Sequence, residues 1–331
     1  MENQMLMTEI IAKVARNRYE AAFLFECALG NPNANPDSGS DPRLNEYDGT
    51  CMVSDVCLKA LVRKMIVLAG QKVYIQQDTN FNRILAEHAE KLGISLTEKG
   101  RKAGDNLTAR QKFQEEYTDA RMFGAVLASG PNFGAITGPI QIPFASTIDP
   151  VEKVDVCITR ACKAEDKDEN KKPLVTAQQY REWEARQPAS KLRGMGRKSI
   201  IRYGLFRGSA FVSAYRAIES GLTEADLELF WDSLENMFEH NRTASKGTMT
   251  CRGIAIFKHV GTAPDEAGRA RQAMKGCAHA HNLFDLLRVE KKDGVVSPTS
   301  WKDYQVTFNA AGVPAGVEYR LIGAEDWTVN K

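Results

Sequence analysis

The sequence predicts an α+β fold: one core domain spanning residues 1–331, with insertions at about 78–135 and about 163–200. Three observations carry that prediction. An apolar stretch at 19–28 has the period of a buried strand, a capped amphipathic helix follows it across a long polar loop, and short strand-like segments recur to the end of the chain. No short-period repeat divides the sequence.

The elements follow in order. In Tyr19 to Ala28, residues Ala21, Phe23, Phe25 and Cys27 alternate with Ala22, Leu24 and Glu26, as in a central strand buried on both faces. Gly30 ends it, and the three prolines of NPNANPDSGSDPR (31–43) make a long loop rather than a strand or helix. Ser54 is an N-cap, and Val56, Leu58, Leu61, Val62, Met65 and Ile66 supply the stripe of a helix that Gly70 ends. A short strand is expected at Lys72 to Gln77. Strand, loop, helix and strand in that order suggest the opening half of a ferredoxin-like or RNA-recognition-motif fold.

Helices are expected at Phe81 to Leu92 and Ala109 to Leu127, and strands at Pro139 to Ala145 and Val151 to Cys162. A charge-mixed stretch from Lys163 to Pro188 contains a helix at Ala177 to Arg186. Ile200 to Tyr215 reads as a strand, and Thr223 with Asp226 forms a capping box that opens another helix. Late strands are expected at Gly253 to Phe257, Leu283 to Val289, Tyr304 to Phe308 and Glu318 to Ile322. The N-terminal twenty residues read as a short helical or frayed arm without the apolar core of a signal peptide.

Composition narrows the function. A hydrophobic content of 43% suits a folded core, and a formal net charge of +2 means that any basic face is local. Seven cysteines form no CxxC pair, so no metal is expected at Cys157 and Cys162, and reduced thiols in a cytoplasmic protein are the expectation. No apolar run reaches membrane-spanning length, and no membrane partner is expected. Nucleotide-binding, zinc-protease and serine-hydrolase motifs are absent from the sequence. His279 and His281 lie two apart in AHAHNLF, and no shared metal is expected of them. His240 and His259 lack a carboxylate or cysteine partner in sequence, and structural roles are expected for all of them.

The strongest charge feature spans residues 185–218, which hold Arg186, Lys191, Arg193, Arg197, Lys198, Arg202, Arg207 and Arg216 and no Asp or Glu. That segregation suits a surface tracking phosphates, or else a solvated basic loop. Gly194 and Gly196 on either side of Met195 imply a flexible middle. Lys59 and Arg63 share a helical face near the helix N-terminus, and Asn31, Asn33 and Asn35 can bond phosphate, sugar or base edges. Taken alone, those residues fit turn geometry and solvated charge better.

Taken together, these segments resemble a known family. GNPNANPDSGSDPR followed by VSDVCLKALVRK resembles the signature of the Cascade backbone subunit of CRISPR subtypes I-C and I-B, the seventh family of CRISPR-associated proteins. Asp119–Leu127, Thr137–Ile142, Ser146–Pro150, Gly194–Gly208, Met237–Arg242 and Ala280–Val289 extend the resemblance in family order, and the GMGRK and RYGLFR segments favour I-C. The resemblance implies an RNA-recognition-motif palm, a helical fingers insertion and a thumb. It implies a non-catalytic scaffold without cofactor or metal. The implied partners are CRISPR RNA, the target DNA strand, neighbouring copies and the capping, large and small Cascade subunits.

Carried over residue by residue, it makes Asn31, Asn33, Ser54, Lys59 and Arg63 RNA contacts of the palm, with Arg121 as a further contact or an ion pair. Lys191, Arg193, Met195, Arg197, Lys198, Arg202 and Arg207 fall to the thumb or its base, Met195 as a wedge between bases or a hydrophobic anchor. The sequence departs from the family at Ala34, Asn35, Ser40 and Asp41, and has a longer stretch between Cys162 and Gly194. Two other readings stay open. One is a type III-like backbone that cuts target RNA with Asp37 or Asp41 and a metal. The other is a free-standing single-strand-binding protein.

Overall fold

The computed structural model describes residues 14–331; most of the expected N-terminal arm lies outside them. Where description begins, Val14 bridges Thr223 and Ala15 is fully buried. Strand β1 (Tyr19–Gly30) then runs through the centre of the main sheet with nearly every residue buried. The following loop is more ordered than its composition suggests. It forms a small hairpin of β2 (Ala34–Asn35) and β3 (Asp41–Pro42), turned by a 3-10 segment that the Asn35 side chain caps.

β4 (Met52–Val53) leads into helix α1 (Asp55–Leu68), whose first turn is closed by Ser54 accepting from the Cys57 N–H. Val56, placed on the buried stripe by periodicity, is exposed. The strand expected at Lys72–Gln77 does not form. The Asp119 carboxylate takes the backbone N–H groups of Tyr74 and Ile75, which a ladder would otherwise use.

The segment 81–137 holds α2 (Phe81–Leu92), α3 (Asp105–Glu116), α4 (Thr118–Phe123) and a hairpin of β5 (Gly124–Leu127) and β6 (Gly134–Thr137). The helix expected over Ala109–Leu127 is thus broken at Tyr117 and ends at Gly124. A Cβ at Gly124 would meet the Ile136 carbonyl oxygen at 2.4 Å, so only glycine fits there. This segment has its own apolar cluster, including Leu85, Phe113, Leu127 and Phe133.

β7 (Ile140–Gln141) and β8 (Ala145–Thr147) return the chain to the main sheet. β9 (Lys153–Arg160) pairs with the N-terminal part of the 19-residue β10 (Gly194–Val212), from Ile201 out to Gly194. β9 is mostly solvent-exposed and the paired part of β10 is largely half-buried until Ile201, so the two form a projecting two-stranded ribbon. Its tip carries α5 (Ala177–Arg186), closed by a Thr176–Gln179 capping box and seated on the buried Trp183. Gly194 and Gly196 are not a flexible hinge. They pair with Arg160 and Ile158, and a Cβ on Gly196 would press on Ile158 at 3.0 Å.

After β10 come α6 (Ala214–Ser220), α7 (Glu224–Asn236) with the Thr223–Asp226 capping box, and β11 (Thr248–His259). Helix α8 (Glu266–Lys275) is followed by α9 (Ala280–Phe284) and β12 (Leu287–Lys291), so the strand expected at Leu283–Val289 is split. His279 caps α9, so the two histidines open a helix rather than sit in a strand, and the His279 ring stacks on that of His281 at 5.7 Å. β13 (Tyr304–Asn309), β14 (Val317–Ile322) and β15 (Thr328–Asn330) complete the chain.

The main sheet runs β14–β11–β1–β10–β8–β4, antiparallel throughout. On one face, α1 and α7 cover Phe23, Phe25 and Phe206 in the largest apolar cluster. On the other, Leu24, Leu205 and Phe257 are covered by the β12–β13–β15 sheet. The main sheet is therefore closed on both sides over most of its area, and any ligand must bind at its ends. His259 lies fully buried between these layers, its Nε2 donating to Glu20 at 2.6 Å while its Nδ1 accepts from Cys277 N–H. The carboxylate partner that its neighbourhood in sequence did not show lies 239 residues away. Among the described residues no helix is long and apolar enough to cross a membrane.

Candidate nucleic-acid interface

A cleft of about 870 Å³ opens at the C-terminal end of β1. Its walls are the β2–β3 hairpin, the root of the β9–β10 ribbon and the turn at 243–246. Asn31 ties all three together. Its backbone N–H donates to the Ser245 carbonyl at 2.8 Å, and its side-chain amide donates to Ser40 at 2.8 Å and more weakly to Ser199 at 3.4 Å. The carboxamide oxygen left over is buried without a hydrogen-bond partner. A Cβ at Gly30 would lie 2.0 Å from the Lys246 carbonyl oxygen, so the turn packs backbone against backbone where β1 ends.

Charge in the cleft is partly balanced. Asp41 on the hairpin bonds Lys153 at 2.5 Å, and that hydrogen bond, helped by Ser199 and Arg197, holds its carboxyl below the usual range. Asp155 bonds Ser199, then Arg197 at 2.9 Å, and is likewise lowered. Lys198 and Lys246 also line the cleft and have no acidic partner among the described residues. The lining therefore includes two lysines that no ion pair engages among the described residues.

Of the expected site residues, the cleft collects Asn31, Asn33, Arg197 and Lys198. Asn33 acts mainly as a fastener, accepting from the Ser54 N–H at 2.9 Å and so holding the hairpin on the start of α1. Lys191, Arg193 and Met195 lie farther along the ribbon, all exposed, and Met195 is 88% accessible. By strand alternation Met195, Arg197 and Ser199 share one ribbon face. Arg202 is exposed and loosely paired with Glu152 at 3.5 Å.

Other expected contacts are turned inward. Lys59 pairs with Asp55 at 3.0 Å. Arg63 is only 8% exposed, bonds Asp119 at 2.7 Å and lies over the Phe123 ring, joining α1 to the 81–137 segment. Arg121 grips Asp226 with two bonds of 2.9 and 2.8 Å, the ion pair that was one of its two readings. Arg207 donates to the Phe284 carbonyl, and burial lowers its pKa. Sequence reasoning missed Lys153, Ser199, Thr243, Ser245 and Lys246. The signal for the last was a Lys-Gly turn just past the Met237–Arg242 motif, where Gly247 takes φ +65°.

Among the described residues no three His, Cys, Asp or Glu side chains are placed to hold a metal ion. What the geometry defines is a mixed α+β protein with a cationic cleft beneath a projecting basic ribbon, an arrangement suited to a polyanionic strand. The sequence places it further: residues 17–309 match the family described as CRISPR-associated protein Cas7, and the chain belongs to that family.

Solved structures with a similar chain include one described as a CRISPR RNA-guided surveillance complex, pre-nicking. The likeness has 14% identity and TM-score 0.45, covering 79% of this chain and 84% of that one. A second CRISPR RNA-guided surveillance complex gives 14% identity and TM-score 0.41, over 88% of each chain. A type III-B Cmr-beta complex bound to cognate target RNA gives 11% and 0.35, over 77% of this chain and 64% of that one. No curated protein matches the sequence significantly.

Proposed function

We propose that this protein is the repeated backbone subunit of a type I-C CRISPR interference complex. It lines up copies of itself along CRISPR RNA and presents the guide for pairing with target DNA, with capping, large and small subunits as its other partners, in the cytoplasm. The observation that carries the proposal is the cleft at the root of the ribbon, with Lys198 and Lys246 free to meet phosphates. Family membership gives that cleft its context.

The architecture supports the same reading. The order strand β1, helix α1, strand β8, strand β10, helix α7, strand β11, with β11–β1–β10–β8 adjacent, supports reading the core as a ferredoxin-like or RNA-recognition-motif palm. The face on which such palms commonly stack bases is covered here, which directs RNA to the strand ends. The ribbon with its helical tip is assigned as the thumb, the α2–β6 insertion as the fingers, and Met195 as the wedge between bases. Asn31, Asn33, Lys191, Arg193, Arg197, Lys198 and Arg202 form the proposed RNA surface. Ser54, Lys59, Arg63, Arg121 and Arg207 are left out because they serve internal bonds.

The proposal assigns no catalysis. Asp41 is engaged by Lys153, and Asp37 stands exposed on the 3-10 turn. The test is the salt dependence of RNA binding by Lys198→Ala/Lys246→Ala. Losing two phosphate contacts on a single strand should flatten the slope of log affinity against log salt by about 1.4. An unchanged slope would contradict the interface, and regularly spaced cuts in target RNA with Mg²⁺ would contradict the scaffold.

A further inference from the structure

A second cleft, about 500 Å³, opens at the same end of the main sheet but on the face covered by the C-terminal layer. There the cover stops short, leaving the end of β1 and part of β11 facing the segment 292–304. Its inner wall is built from fixed groups. Glu26, almost completely buried, accepts from the Tyr203 hydroxyl at 2.8 Å and from the Arg252 guanidinium. Burial and Glu26 together push the Tyr203 hydroxyl up, so it remains a donor. Arg252 lies over the Trp301 ring at 5.6 Å, and the indole N–H is held by Asp326 at 3.0 Å. Each half of the Arg252–Trp301 pair is thus oriented by a separate partner.

The rim is different. Lys292 and Lys302 line the cleft and have no acidic partner among the described residues. A fixed flat aromatic and guanidinium wall with free ammonium groups at its edge matches a planar base joined to a phosphate, the unit of single-stranded nucleic acid.

Position links the two clefts. Ala28 on β1 lines the second and Asn31, just past the end of β1, the first; three residues separate them, so their walls stand on the order of 10 Å apart. Between them Leu29 takes φ +51°, uncommon for a branched side chain, and is 67% exposed. The ladder with β10 skips it, passing from Ala28–Tyr203 to Gly30–Ile201. A strand leaving the first cleft can pass over this exposed leucine into the second.

We infer that the Arg252–Trp301 cleft is a second nucleic-acid subsite, taking one nucleotide of the same guide strand, its base against Trp301 and its phosphate at Lys292 and Lys302. This rests on the guide-RNA reading of the first cleft. The experiment is photo-crosslinking of the full-length protein to a synthetic single-stranded RNA containing 4-thiouridine, with adducts mapped by mass spectrometry. Expected are adducts within 299–304 as well as around the first cleft. Lys292→Glu/Lys302→Glu changes only exposed side chains; it should abolish the 299–304 adducts, shorten the length of RNA protected per protomer and keep the first-cleft adducts. Trp301→Phe should keep the adducts that Trp301→Ala loses.

Adducts at the first cleft alone would overturn this inference and leave the guide-RNA reading standing. Adducts at neither would overturn both. Protection of Lys292 and Lys302 from acetylation by a second copy without RNA would reassign the cleft to subunit contact.

Discussion

Removing the Asp119 carboxylate tests whether Arg63 is an internal strut or an RNA contact. Asp119 is 1% exposed and receives three bonds: Arg63 Nε at 2.7 Å, Tyr74 N–H at 2.6 Å and Ile75 N–H at 3.2 Å. Breaking a buried ion pair by deleting one partner costs about 3–5 kcal/mol, because the other charge stays buried and uncompensated. A buried N–H left unpaired adds roughly 1–3 kcal/mol, though relaxation keeps such losses from adding fully. Asp119→Ala should therefore remove about 4–6 kcal/mol, a large share of the ~5–15 kcal/mol that holds a typical protein folded. Arg63→Met should cost less, near ~3 kcal/mol, since Asp119 keeps both backbone donors. Urea unfolding followed by circular dichroism measures both, and RNA retention by the folded fraction is read alongside. The reasoning fails if Asp119→Ala costs under ~1 kcal/mol, or if Arg63→Met keeps full stability while losing RNA.

Two further outcomes follow from close contacts within the fold. Gly30→Ala drives a methyl into the Lys246 carbonyl, so it should displace the 243–247 turn and lower RNA affinity, whereas Gly221→Ala, in open space at φ +73°, should cost only backbone strain of about 1 kcal/mol and leave binding intact; equal affinities for the two variants would count against the cleft. For Asp226, burial pushes the carboxyl up, but the Arg121 hydrogen bonds outweigh it and the net pKa is lowered. A depressed folded value stabilises above the unfolded pKa of about 3.9 and is lost as pH falls through the folded one, so Asp226→Asn should flatten the acid limb of unfolding free energy below about pH 5, and an unchanged limb would refute the pairing.

Local chemistry made much of the fold legible. The Ser54 cap, the Thr223–Asp226 box, the helices at Phe81–Leu92 and Ala177–Arg186 and the doubly buried β1 follow from residues a few positions apart. Long-range partners did not show in the sequence. Arg63 and Arg121 carried the same charge as true surface cations, and only acids 56 and 105 residues away turn them inward. Lys72–Gln77 had strand composition, yet Asp119 takes its amides. The acid-free run at 185–218 did mark the ribbon, but its neutralising partners Glu152 and Asp155 come from β9 and the segment before it, and the cleft needed a turn from 243–246 that no charge run announced.

The measurement that bears most directly on the central claim is the size of the nucleic acid carried by this protein when it is purified with its neighbouring subunits. A backbone assembled on guide RNA predicts an RNA of one length, protected at a regular spacing and lost with Lys198→Ala/Lys246→Ala. Nucleic acid of mixed length, or none, would contradict it.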